Sequence, residues 1–158
     1  MDSVSLNLPG VSGVVSKIQV FPEDVRKVLA DGVSTLRIVA LVLDSDDNPI
    51  PDKVVNFEVE NNLGTIDKAS ITAALTDAAG NPNPDAGKAF ATLTSIADTV
   101  DRYPRIIATS GDRVGYSEDS SIVFLGVEMK LSAEADTIRV GEQVQINVSL
   151  KEATSKVA

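Results

Sequence analysis

The chain has 158 residues, 43% apolar and 23% charged, with a net charge of -9 and neither cysteine nor histidine. Those proportions are those of a folded chain, while the missing residue types exclude disulfides, thiolate or imidazole catalysis and histidine-bearing zinc sites within it. The negative charge excludes the electrostatic attraction that dominates nucleic-acid affinity, and no apolar run approaches the roughly 18 residues of a membrane helix, so neither nucleic acid nor direct membrane insertion is expected.

Aromatics make up only 4% and tryptophan is absent, which leaves Val, Ile, Leu and Ala to build the core. The β-branched members of that set suit a pleated, half-buried surface. Residues 1–15 lack the basic start and apolar centre of a secretory signal. With Pro9, Gly10 and Gly13 interrupting them, they read as a linker or the end of a preceding module. A first strand follows over residues 17–21, and Pro22 is placed to break this edge strand and pass it to a second sheet, since proline is tolerated only at edges and bulges. A short strand over 28–30 completes the crossing. The stretch 23–30 also fits a short helix, with Pro22 before it and acid at its start.

The clearest strand spans 35–43, where Leu36, Ile38, Ala40 and Val42 share one face and the other face is also largely apolar. Apolar residues on both faces predict a central strand. Further strands are expected over 54–59, 70–75, 88–94, 105–109 and 120–125, with a long turn over 76–87 whose prolines lack backbone donors. Brief strands about every ten residues, separated by Gly, Pro, Asn and Asp, point to an all-β Greek-key sandwich and not to βαβ units.

The opening strand pattern recurs near the C-terminus. Lys17-Ile18-Gln19-Val20-Phe21 has a loose second copy in Glu128-Met129-Lys130-Leu131-Ser132, Gly32 a counterpart in Gly141, and residues 36–43 one in residues 144–150. The spacing of roughly 110 residues is that of one sandwich domain. The organisation expected is therefore an Ig-like sandwich over 16–126 followed by the first strands of a second module over 127–158, in a piece cut from a longer protein.

Ala30-Asp31-Gly32-Val33-Ser34, Asn48-Pro49-Ile50-Pro51, Val55-Asn56-Phe57, Thr76-Asp77-Ala78-Ala79-Gly80 and Ala91-Thr92-Leu93-Thr94-Ser95 follow one another in an order that resembles the bacterial Ig-like group 1 family, the repeat of invasin and intimin adhesins. The resemblance covers residues 16–125 and departs from the family at Asn48, which lacks a preceding glycine, at the long 81–86 insertion and at 98–102. It implies an immunoglobulin-like fold, no enzymatic activity, and a repeat at the bacterial cell surface that acts as a rigid stalk or spacer in cell adhesion. Its partners would be neighbouring Ig-like repeats and, on an alternative reading, a host protein or glycan gripped by loops around Asp46, Asn83 and Arg102. Accessory domains of secreted enzymes, phage or surface-layer proteins share such a fold.

No cofactor is expected from the sequence, with calcium the one ion to consider. Asp44, Asp46 and Asp47 with Asn48 place oxygen ligands at the spacing that opens an EF-hand loop, but Pro49 stands where its glycine belongs and Val55 where its final Glu belongs. The bland alternative is a solvated turn. Glu58 with Glu60 and Glu118 with Asp119 are the carboxylate pairs that glycoside chemistry would need, yet each falls on a strand edge or just before a strand. Tyr103, before Pro104, is expected to close a sandwich corner with its ring on the core.

Overall fold

The computed structural model describes residues 13–134, 137, 139–141 and 143–152; the expected linker over 1–15 therefore lies mostly outside the described residues. Twelve strands follow in order: β1 (Lys17–Pro22), β2 (Lys27–Leu29), β3 (Thr35–Leu43), β4 (Val54–Val59), β5 (Thr65–Ile66), β6 (Ala69–Ile71), β7 (Lys88–Thr94), β8 (Ile106–Ser110), β9 (Arg113–Tyr116), β10 (Val123–Leu125), β11 (Val127–Ala133) and β12 (Ile146–Glu152). The only helical element among the described residues is one 3-10 turn over Glu60–Asn62.

Two four-stranded antiparallel sheets, ordered β1-β3-β7-β5 and β6-β4-β8-β9, carry the structure. β3 is central, as its doubly apolar sequence requires, with β1 on one side and β7 on the other. Its inward residues Leu36, Ile38, Ala40 and Val42 join Ile18, Val20, Ala89, Ala91 and Leu93 to face Val55, Phe57, Ile106, Ala108 and Phe124 across one core. Each large side chain fully withdrawn from water there contributes about 1.5–3 kcal/mol. The fold is an immunoglobulin-like β-sandwich.

The chain changes sheets at Pro22. β1 pairs with β3 as far as Pro22, Glu23 still donates to the Arg37 carbonyl at 2.9 Å, and β2 then lies parallel to β10. The helical alternative for 23–30 is thereby replaced by a strand, because the backbone groups of Arg26 and Ala30 are bonded to Val123 and Leu125. On the same flank β1 meets the residue that follows β9 at the Val20–Ser117 bridge, and Gly115 packs directly against the Ile18 backbone. That contact covers strand edges that would otherwise invite pairing with another chain.

Three expectations are corrected, and one strand is added. The strand foreseen over 70–75 stops at Ile71, since Thr72 turns its hydroxyl to the Ile50 carbonyl and Ala73 leaves to bond Lys88 and Gly87. The one foreseen over 120–125 begins at Val123, because Ser120 has a positive φ and Ser121 closes a turn onto Glu118. β9 was not foreseen at all. Tyr103 does not lie on the core: it is 52% exposed, and Pro104 takes the buried place.

Candidate functional site

The ends of the sandwich are where its loops and chain connections gather. At the entry end, Ser16 donates to the Leu43 carbonyl at 2.9 Å, so the chain arrives beside the last residue of β3. At the exit end, Ala30 donates to Leu125 at 2.7 Å and Val127 to Asp98 at 2.9 Å, so the chain departs beside the loop that leads into the first residue of β3. The nine residues of β3 separate the two points, a length of about 30 Å at the rise of an extended strand.

Two loops at the entry end have one conformation. Asp44 Oδ1 accepts the backbone N–H groups of Asp46 and Asn48, both at 2.9 Å, and Asp77 Oδ1 accepts those of Ala79 and Asn81, also at 2.9 Å. Asp44 and Asp77 each also bond backbone to backbone with the residue four positions on. The fourth position in each loop has a positive φ, 61° at Asp47 and 82° at Gly80. Both belong to the sequence pattern Asp-x-x-x-Asn-Pro-x-Pro, at 44–51 and 77–84. The aspartate bonds its own turn in each, the reason this residue opens such loops.

That geometry accounts for the acidic run considered for calcium. Asp44 is almost wholly buried with its carboxylate directed at Asp46 and Asn48, Asp46 is exposed, and Asp47 lies 3.4 Å from the Lys17 ammonium on the surface. Among the described residues no three His, Cys, Asp or Glu side chains gather where they could hold a metal ion. Of the loop residues named for ligand binding, Asp46 and Asn83 lie at the entry end. Arg102 lies at the exit end, paired with Asp98, so the three do not share a surface.

The exit end is held by carboxylates. Asp31 accepts Ser34 N and Oγ, both at 2.7 Å, Val33 N at 3.0 Å and Ser95 Oγ at 3.2 Å. These donors, Ser34 N first, hold its pKa well below the usual carboxylate range. Asp98 is lowered chiefly by the Arg102 guanidinium, whose Nε lies 2.7 Å away. The loop it heads grips the departing chain: Gly126 N donates to Asp101 Oδ1 at 2.9 Å, and a β-carbon on Gly126 would fall 2.5 Å from the Thr99 carbonyl oxygen. One residue, Gly126, separates β10 from β11.

The carboxylates weighed for acid and base chemistry are apart from any such cluster. Glu58 is exposed on β4, Glu60 donates its backbone N–H to Arg105, and Glu118 and Asp119 are exposed, with Asp119 3.6 Å from Arg105 Nε.

No protein-family model matches the chain, and no curated protein matches it. Among solved structures it is similar to an adhesin, InvE, of Yersinia pseudotuberculosis, at 19% identity and a TM-score of 0.48 over 94% of this chain. The match spans 38% of that protein's length.

Proposed function

We propose that this chain is a structural, adhesion-related Ig-like repeat module of a bacterial cell-surface protein, and that it works as a rigid spacer and not as an enzyme. The observation that carries the reading is the placement of chain entry and exit at opposite ends of β3, with a single clamped residue leading onward. Modules connected in this way extend a series by the length of a sandwich at each step, and a junction without a linker limits bending between them.

The strands after Gly126 support the same reading. β11 and β12 pair antiparallel over seven residues each, repeating the pairing of β1 with β3 at the start of the sandwich. Ile146 and Val148 on β12 are 58% and 61% exposed, and a two-stranded ribbon with an uncovered apolar face is marginal alone. In this proposal the ribbon opens a second module whose other sheet covers it, and neighbouring repeats are the chain's principal partners at the outside of the cell.

Binding arrays of host proteins and glycans, probed with the purified chain, test the reading. A spacer is expected to give no selective signal. A selective signal abolished by substitutions in the 44–48 or 81–85 loops would replace the spacer with a ligand-binding module.

A further inference from the structure

The two outer faces of the sandwich differ in charge. On the β1-β3-β7 side, Lys17, Arg37 and Lys88 point outward, each matched by an acid: Asp47 at 3.4 Å, Glu23 at 3.1 Å and Asp85 at 3.0 Å. Arg37 also covers the Phe90 ring at 3.8 Å, and the outward Val39 is only 1% exposed. That face is charged, and of its apolar residues Val39 is covered while Phe21 is 37% exposed.

The outer face of β6-β4-β8-β9 carries fewer charges and leaves more apolar residues open. The register places Ile71 beside Val54, Ala69 beside Asn56, Thr109 and Val114, and Glu58 beside Ile107 and Tyr116. Of these nine outward positions Glu58 alone is charged, in a chain of net charge -9. Val54, Ile71, Val114 and Tyr116 are 54%, 62%, 48% and 49% exposed, and Arg105 stacks on the Tyr116 ring at 4.6 Å, which fixes that corner. Exposed apolar residues on an open sheet face, here two pairs flanking Asn56 and Thr109, mark an interaction surface.

We propose that this face pairs with the same face of a second copy of the chain. The charge pattern favours that occupant: two copies at -9 repel wherever their acidic surfaces meet, and this face is one across which they can approach with little like charge opposed. At its centre Asn56 and Thr109 carry amide and hydroxyl groups that both donate and accept, so a two-fold axis through them can match each with its own copy. From strand spacing and rise the face measures about 20 Å by 20 Å, or about 400 Å² per copy, about half of what each partner gives to a standard stable interface. One pair of modules therefore associates weakly, and a series of modules multiplies the contact through effective concentration. This pairing stands apart from the spacer reading, since a module can hold its place in a series whether or not its flank self-associates.

The test is a dilution series of the purified chain from about 1 mM to about 20 μM, the range in which so small an interface dissociates, followed by amide chemical shifts and sedimentation. Expected are concentration-dependent shifts at Asn56, Thr109, Val114 and Tyr116, and association at least about threefold tighter in 300 mM salt than in 20 mM, because salt screens the repulsion and leaves apolar contact intact. Val54→Lys combined with Val114→Lys, at exposed positions where the melting temperature serves as a folding control, is expected to abolish the shifts. The two lysines make the chain less negative, so an association governed by net charge would strengthen instead and overturn the proposal. A chain that stays monomeric to about 1 mM at both salts overturns it as well. So does an association that survives the lysine pair and is lost on Val148→Asp, which would place the contact on the β11–β12 ribbon.

Discussion

The Thr72 hydroxyl donates to the Ile50 carbonyl at 2.8 Å and accepts the Lys53 N–H at 2.8 Å, with Thr72 and Ile50 both almost wholly buried. One side chain thus satisfies a carbonyl and an N–H of the segment that connects β3 to β4. Thr72→Val keeps the shape and strands a buried carbonyl and a part-buried N–H, so it is expected to lower unfolding free energy by about 1–3 kcal/mol. Thr72→Ser is expected to retain most of that stability. Urea titration of the two variants checks the pair, and equal losses would show that the methyl group matters more than the hydroxyl.

The twin turns predict opposite effects at matched positions. Gly80 occupies the left-handed position without cost, whereas Asp47 holds it with a side chain. Gly80→Ala is expected to destabilise by about 1 kcal/mol. Asp47→Gly is expected to stabilise by a few tenths of a kcal/mol, since the exposed pair with Lys17 that it gives up is worth little. Thermal unfolding of both variants checks the sign, and a loss of stability in Asp47→Gly would contradict the strain argument.

Acid sensitivity follows from the loop aspartates. Asp31, Asp67, Asp77 and Asp98 are lowered by Ser34 N, Thr92 N, Asn81 N and the Arg102 side chain respectively. A carboxylate lowered on folding stabilises fully above its unfolded value, about 3.9, and loses that contribution as pH falls through its folded value. Stability is therefore expected to hold level between pH 6 and 8, where the chain has no histidine to titrate, and to fall below about pH 4. Asp31→Asn should make the acid limb shallower. Melting curves from pH 2 to 8 decide it; an acid limb unchanged by Asp31→Asn would remove this residue from the account.

Much of the sandwich was legible because alternation survives in single strands. Residues 35–43, 54–59 and 88–94 show it over six to nine residues, and the strands there have those bounds. β9 carries only four residues with Gly115 among them, and β5 only two, too few for a period to emerge. The turn role of Asp77 and Gly80 was readable from local chemistry. Which loops share an end was not: Asp46 and Arg102 are separated by the direction of β3, and the pair Tyr103-Pro104 carries no sign of which of the two is buried. The sparsely charged outer face was equally hidden, since it forms only when β4, β6, β8 and β9 take their places side by side.

The opposite placement of entry and exit is the claim on which the spacer reading rests. Because the chain has no cysteine, cysteines placed at Ser16 and Glu128, both exposed, take spin labels at those two sites alone. Double electron–electron resonance is predicted to give one narrow distance distribution centred at about 30–40 Å, the span of a nine-residue strand with its turns. A distribution centred below about 20 Å, less than the length of β3, would place both ends on one side of the sandwich and contradict the account.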